Sequence, residues 1–275
     1  MTTSDALLVA LDVDGTIIDH DERLSDRVRD AVRATADGGH HVVLATGRSL
    51  VSTLPVLDRL GLARGFAVCS NGAVTVRLDP ELDDGHEVVD VVTFDPAPAL
   101  RLLRDHLPAA AYAVEDVGLG FRLSGPFPTG ELIGDLVVVP FEELLDAPAT
   151  RVVVRSPEHT PQEFLDLTSR IGLHGVNYAV GWTAWLDIAP DGVSKASALE
   201  GVRARLGVPP DSTIAVGDGR NDLEMLAWAG RAVAMGNAPD GVAAAADEVA
   251  GDVVDDGLAE ILEGLVAPEA RRAQR

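Results

Sequence analysis

Apolar residues arrive in short bursts along the first third of the chain. Residues 7–13, LLVALDV, form a compact apolar run that ends at a turn-forming glycine, the pattern of a buried strand. Val28, Ala31, Val32 and Ala36 recur at helical spacing within 25–37, with Ser25 or Asp26 placed to cap the helix and Gly38 to stop it. HVVLATG (41–47) predicts a second strand, residues from about 49 to 60 a helix, and FAVCSNG (66–72) a third strand. Short strand–helix–strand–helix–strand units predict a parallel sheet with helices on its faces.

The rhythm then changes. AVTVRL and EVVDVVTF, separated by the turn-prone DPELDDG, predict a hairpin over 73–94. From about 95 to 185 the expected elements are mixed: a helix near 97–107, short strands near 111–115, 119–123, 136–139 and 151–156, a helix over 162–171, and strands over 176–182 and 184–190. This reads as a second α+β unit inserted into the first. After Asp191 the first rhythm resumes, with a helix near 194–206, a strand over 213–218, a helix near 221–229, a strand over 232–235, a short helix near 239–245 and a last helix near 257–266. PEARRAQR has no periodicity and reads as a frayed tail. The expected fold class is α/β: a Rossmann-like three-layer core over 1–82 and 186–275, with an insertion over 83–185.

Composition narrows the partners. Hydrophobic residues make up 47% of 275, enough for a sizeable core, and no apolar run is long enough for a bilayer. MTTSDALL shows no basic segment ahead of an apolar one, so no signal peptide is expected. Cys69, the only cysteine, rules out an internal disulfide, favours a cytoplasmic setting and reads as strand core. A net charge of −22 argues against nucleic acid and anionic membrane surfaces but leaves small anions open, since local cations can outweigh the global field. The seven histidines have no metal-ligand spacing. Among 22 basic residues, Lys195 is the only lysine. GC-rich coding accounts for the missing lysines but not for the one retained, and since Arg and Lys differ where a compact, flexible ammonium is needed, Lys195 is a candidate for chemistry.

Four stretches carry candidate chemistry, each at the C-terminal end of an expected strand, where open α/β sheets bind ligands. In DVDGT, Asp12 and Asp14 lie two apart and so share one side of an extended chain, roughly 6–7 Å apart. In ATGR, Thr46 and the first free N–H groups of the next helix suit phosphate oxygens. In DGVSKASAL, Lys195 falls in the first turn of a helix, where a cation opposes the macrodipole and an anion partner is implied. In GDGRND, Asp218 ends a strand and Asp222 follows across a glycine turn. Asp12, Asp218 and Asp222 are hard oxygen donors that, with water, suit octahedral Mg²⁺. Together the parts describe phosphoryl transfer: a carboxylate nucleophile, a second carboxyl to move the proton, a cation to offset anionic repulsion, and Thr and Lys to hold the phosphate.

The order DxDGT, TGR, lysine, GDGxND resembles the haloacid dehalogenase-like (HAD) hydrolase superfamily. SNGA (70–73), GVSKASAL (192–199) and GDGRNDLEMLAWAGRAVAMGNAPDGV (217–242) are similar to its Cof-like phosphatase branch, the last stretch being the most specific. The resemblance implies that Asp12 is nucleophile and magnesium ligand, and that Asp14 is the general acid/base, with its backbone carbonyl also on the metal. It implies that Thr46 and Lys195 bind phosphate, that Asp218 binds the metal, and that Asp222 does so directly or through water. Asn221 would contact the phosphate or orient Lys195, and Gly47 and Asn71 match motif positions. The insertion then corresponds to the large α/β cap of that branch, a specificity unit over the site. Its candidate substrate contacts are Glu115, Asp116 and Arg122 in VEDVGLGFR and Trp182 and Trp185 in GWTAW, against a background of ordinary packing. The expected activity is Mg²⁺-dependent hydrolysis of a small phosphate monoester, such as a sugar phosphate, FMN or pyridoxal phosphate, by a monomer or small homo-oligomer. A phosphomutase working on a hexose phosphate is the alternative. A non-catalytic sugar-phosphate sensor has no need of the Asp12–Asp14 pair, and a dehalogenase lacks the second aspartate.

Overall fold

A computed structural model describes residues 6–171, 173, 175–180 and 184–272. The first part of the chain forms β1 (Leu8–Leu11), α1 (Asp26–Asp37), β2 (His41–Ala45), α2 (Leu50–Leu60), β3 (Gly65–Cys69), β4 (Val74–Leu78) and β5 (His86–Val91). There follow α3 (Ala97–His106), β6 (Ala111–Asp116), β7 (Gly120–Leu123), β8 (Asp135–Val138), β9 (Val152–Arg155), α4 (Pro161–Ile171), β10 (Val176–Val180) and β11 (Trp185–Pro190). The chain ends in α5 (Lys195–Leu206), β12 (Thr213–Gly217), α6 (Leu223–Trp228), β13 (Arg231–Ala234), α7 (Asp240–Ala243), β14 (Glu248–Val249) and α8 (Gly257–Arg272).

The core sheet has the order β14-β13-β12-β1-β2-β3-β4-β5. Its first six strands are mutually parallel, and β4 and β5 add an antiparallel edge. Every residue of β1 is buried because both faces are covered, the reason the run is apolar throughout rather than alternating. Val9 and Leu11 pack with Val28, Val32, Leu57 and Leu262, while Leu8 and Ala10 pack with Leu199, Val202 and Met225. Ser25 caps α1 as expected, its hydroxyl accepting the Val28 N–H at 3.0 Å. From β1 the chain builds outward through β2 and β3 on one side, and β12 later joins on the other. The β1/β12 border is therefore the topological switch point, the crevice where such sheets bind ligands.

The second sheet has the order β10-β11-β9-β6-β7-β8. Strand alternation gives it two distinct faces. Tyr112, Val114, Val152, Val154, Leu186 and Ile188 pack against Leu100 and Leu103 of α3 and Phe164 of α4. The opposite face carries Ala113, Phe121, Leu123 and Val153, with Trp185 packed beside them.

Two expected boundaries move. The border at 82/83 would cut the connection between β4 and β5, but β5 pairs with β4 from Val74↔Val91 to Leu78↔His86, so the core sheet runs on to Val91. The border at 185/186 also falls early, because β11 is hydrogen-bonded between β10 and β9 in the second sheet through Ile188 and beyond. The two-residue β14 lies at the far edge without any apolar run to announce it, and α8 continues to Arg272 through a tail expected to fray. Among the described residues no helix is long and apolar enough to cross a membrane.

The turn after β3 packs on the start of α5. Gly72 has φ +105°, and a Cβ there would fall on the Ser194 carbonyl. Gly72→Ala is expected to cost about 2–4 kcal/mol, since it adds both a left-handed penalty and a backbone overlap. Urea denaturation reads this directly; an unchanged midpoint would mean the turn yields freely.

Candidate active site

Five strand ends converge on the switch point. Asp12 follows β1, its N–H donating to the Val216 carbonyl at 2.9 Å and so extending the ladder by one residue. Gly15, at φ +85°, turns the chain back, and a side chain there would meet the Asp218 carboxylate. Asp218 follows β12, Thr46 follows β2, the Ser70–Gly72 turn follows β3 and Asn237 lies three residues past β13.

Lys195 is the first residue of α5, whose N-cap Ser194 accepts from Ser197 N–H. Its side chain is completely buried. Nζ donates to Asp12 Oδ1 at 2.5 Å and to Asp222 Oδ1 at 2.6 Å. Burial alone would lower this ammonium's pKa, but Asp12 and Asp222 hold it above its ordinary value. The anion partner that its position in the helix implied is thus a pair of carboxylates within the protein.

Asp222 also organises its own loop, with Oδ2 accepting the N–H groups of Asp218 (3.0 Å) and Gly219 (2.8 Å). Asp12, Asp218 and Asp222 each bring an oxygen within 4.8 Å of the others. Burial, with the Asp222 charge adding to it, raises Asp12 well above the usual carboxylate range and pushes Asp218 up to about 6. Three buried carboxylates share one ammonium, which leaves negative charge uncompensated. A hard divalent cation with a preference for oxygen fits this donor set.

Asp14 is differently placed. Its side chain is 58% exposed and gripped by the Arg48 fork, Nε to Oδ2 at 2.9 Å and Nη2 to Oδ1 at 2.6 Å. Arg48 Nη2 also reaches Glu22 at 3.3 Å. Thr46 is buried, its hydroxyl accepting the Arg48 N–H at 3.1 Å. Asn221 donates to Asn71 Oδ1 at 3.0 Å, which ties its loop to the β3 turn. Ser70 and Asn71 both adopt positive φ, near +51° and +52°. Burial pushes the Cys69 thiol up to about 12, which keeps it inert within the strand core.

These groups border a cavity of about 510 Å³ whose wall includes Asp12, Asp14, Gly47, Asp218 and Asn221. Thr46 and Asp222 lie behind that wall. The far side belongs to the second sheet, and there the expected contacts fare unevenly. Arg122 is out of phase: Phe121 and Leu123 take the cavity-side face, so Arg122 points to the helix side, bonding Asp116 at 3.1 Å and the Glu143 carbonyl at 2.8 Å. Glu115 has the right phase but sits at the seam between the two units. Its Oε2 accepts from Ser70 Oγ at 2.6 Å and Thr150 Oγ1 at 3.3 Å, and Oε1 has no partner among the described residues. Trp182 lies outside the described residues. Trp185 lines the cavity, as do Arg151 and Asp187, which no motif pointed to.

Asn237 was also missed. Its Nδ2 donates to Gly15 O at 2.9 Å and Asp218 Oδ2 at 3.0 Å, and its Oδ1 accepts from Val253 N–H at 3.0 Å. Its position just past a parallel strand was the available signal.

Lys195→Met leaves Asp12 and Asp222 buried without their cation. A loss of about 3–5 kcal/mol is expected in chelator-treated protein, and equal urea midpoints for the two proteins would contradict it. Burial also holds Glu115 above its ordinary range, against the pull of Arg151, Ser70 and Thr150. A carboxyl raised in the folded state adds stability below its unfolded pKa, and that contribution is lost as pH rises through the folded value. Wild type should therefore lose ground to Glu115→Gln as pH rises above about 4, the ordinary carboxylate range. A stability gap that stays constant with pH would remove the buried carboxyl as its cause.

Comparison with known proteins supplies an independent reading. The haloacid dehalogenase-like hydrolase family matches residues 9–103 and 134–262. A phosphoglycolate phosphatase of Natronomonas pharaonis is 31% identical over 256 residues, covering 93% of this chain and 96% of that one. The 5-amino-6-(5-phospho-D-ribitylamino)uracil phosphatase YitU of Bacillus subtilis is 27% identical over 269 residues, covering 93% and 96%. A solved phosphatase of the haloalkanoate (HAD) enzyme superfamily from Bacteroides thetaiotaomicron aligns with a TM-score of 0.76 at 27% identity, covering 96% of this chain and 97% of its own.

Proposed function

This chain belongs to the haloacid dehalogenase-like hydrolase family, as a phosphoric monoester hydrolase of the Cof-like kind, and from that premise we propose that it hydrolyses a small phosphorylated metabolite through an aspartyl-phosphate on Asp12. The observation that carries this reading is the inequality of the two aspartates. Asp12 is buried and held at one oxygen by Lys195, which leaves Oδ2 to attack phosphorus. Asp14 is solvent-open on the cavity wall, where it can exchange protons.

In the first step the Asp12 Oδ2–P bond forms and the ester P–O bond breaks, with Asp14 giving its proton to the leaving oxygen. In the second, Asp14 takes a proton from water, whose oxygen attacks phosphorus and restores the Asp12 carboxylate. Lys195 balances charge beside Asp12, and the N–H groups that follow Thr46 line the phosphate position. Asp12 and Asp218, with Asp222 behind them, would hold Mg²⁺, which supplies charge neutralisation between an anionic nucleophile and an anionic phosphate. Asp222 has little free lone-pair capacity, since Lys195 and two loop N–H groups already use it, and this favours a water-mediated part for it. The substrate class is a soluble monoester of the size of a sugar phosphate or a phosphorylated cofactor, and the second unit acts as the cap that contacts its leaving group.

Purified protein with Mg²⁺ and p-nitrophenyl phosphate tests the assignment. Asp12→Asn is expected to lower kcat on the order of 10³-fold or more, and chelation to abolish turnover of the wild type. Equal turnover by wild type and Asp12→Asn would sink it.

A further inference from the structure

The cavity wall that faces the catalytic aspartates carries a polar cluster on an otherwise apolar sheet face. Trp185 and Asp187 lie two apart on β11 and project to the same side. Asp187 is opposite Val153 in register, and Arg151 stands two residues before Val153, which puts it on that side too. The side chain of Arg151 is only 8% exposed, yet it borders the cavity and feels the Asp14 charge across it. Its Nε donates to Asp187 Oδ1 at 2.6 Å, and the Trp185 indole N–H donates to Asp187 Oδ2 at 2.9 Å. The Phe121 ring, also on the wall, centres 5.9 Å from the guanidinium carbon. Nη1 and Nη2 of Arg151 have no hydrogen-bond partner among the described residues.

Stability does not explain this arrangement. A nearly buried ion pair gives little net stability compared with apolar side chains of similar volume, and the adjoining Val152, Val153 and Val154 show that this strand packs well without charge. What the cluster offers is a rigid display. Asp187 fixes the plane of the guanidinium, the indole N–H fixes Asp187, and the free Nη donors stand beside carboxylate lone pairs.

We propose that Arg151, Asp187 and Trp185 form the leaving-group subsite, and that they select phosphate esters of neutral polyhydroxylated alcohols over esters whose leaving group carries a second anion. The inference rests on the phosphatase reading and adds its specificity. Adjacent donors and acceptors match hydroxyl groups, each of which gives one hydrogen bond and accepts another. The half-buried Trp185 ring offers apolar surface to the C–H side of a sugar-like ring, while the buried Phe121 supports the guanidinium from behind. A carboxylate has less to gain. Asp187 already neutralises Arg151, and Glu115 lies on the adjoining strand. Glu22 and Glu131 on the wall are themselves paired with Arg48 and Arg155, which leaves Arg220, on the core side, as the cation nearest to an open charge there among the described residues.

The test compares kcat/KM for a hexose monophosphate, phosphoglycolate and p-nitrophenyl phosphate in wild type, Arg151→Met and Asp187→Asn. Wild type is expected to favour the hexose monophosphate over phosphoglycolate by about tenfold or more. Arg151→Met should lose about 10–100-fold on the hexose monophosphate, chiefly in KM, and that loss should exceed its loss on the aryl ester by about tenfold. Asp187→Asn should reverse the preference, because it leaves Arg151 uncompensated: phosphoglycolate improves while the hexose ester worsens. Proportional losses on all three substrates, a wild-type preference for phosphoglycolate, or an Asp187→Asn profile unchanged in order would each overturn the subsite. Failure of wild type to hydrolyse even the aryl ester with Mg²⁺ would instead remove the phosphatase reading, and the subsite with it.

Discussion

One buried ammonium holds this site together. Lys195 has no solvent contact and bonds carboxylates that come from opposite ends of the chain, Asp12 after β1 and Asp222 after β12. Without it, two strand ends that must lie side by side would repel each other in a low-dielectric setting. With it, three acids can crowd closely enough to bind a cation. The parallel sheet supplies the alignment, since adjacent strands β1 and β12 stop at the same level and deliver Asp12 and Asp218 to one crevice. Arginine could not take this place easily: its planar fork needs more room than a point charge between two carboxylate oxygens about 2.5 Å away on either side.

Asp12 and Asp14 show how one short motif yields two chemically different carboxyls. Asp12 is walled in by the core, while Asp14, two residues on, is past the strand and open to water. The Arg48 fork keeps Asp14 directed at the cavity. It also ties the first strand end to the second, so the Thr46–Arg48 turn and the aspartate loop are set by one hydrogen-bonded unit.

Most of the core was readable in the sequence because its code is local. Apolar bursts marked the strands, and Asp12, Thr46 and Asp218 fall just past the core strands β1, β2 and β12, whereas Lys195 opens α5 after a strand of the second sheet. The lone lysine was legible through its rarity alone. Asn237 and Arg48 were harder, because their importance lies in bonds to residues 222 and 34 positions away, which no spacing rule encodes. The second unit was least legible. A one-residue difference in strand phase decides whether a side chain meets the cavity or the helices, which separates Arg122 from Phe121. The hairpin of β4 and β5 shows no compositional break, so nothing in the sequence says which sheet it joins.

The return from the second sheet to the core has a mechanical side. Only residues 191–194 separate the end of β11 from Lys195, and Val193 is pinned midway by Asn177 of β10 through a 2.9 Å hydrogen bond to its carbonyl. Four residues span at most about 14 Å, so the strand that carries Trp185 and Asp187 and the helix that carries the ammonium are on a short leash. One of the second unit's two connections to the core thus runs, within four residues, straight into the helix that carries the charge at the centre of the site.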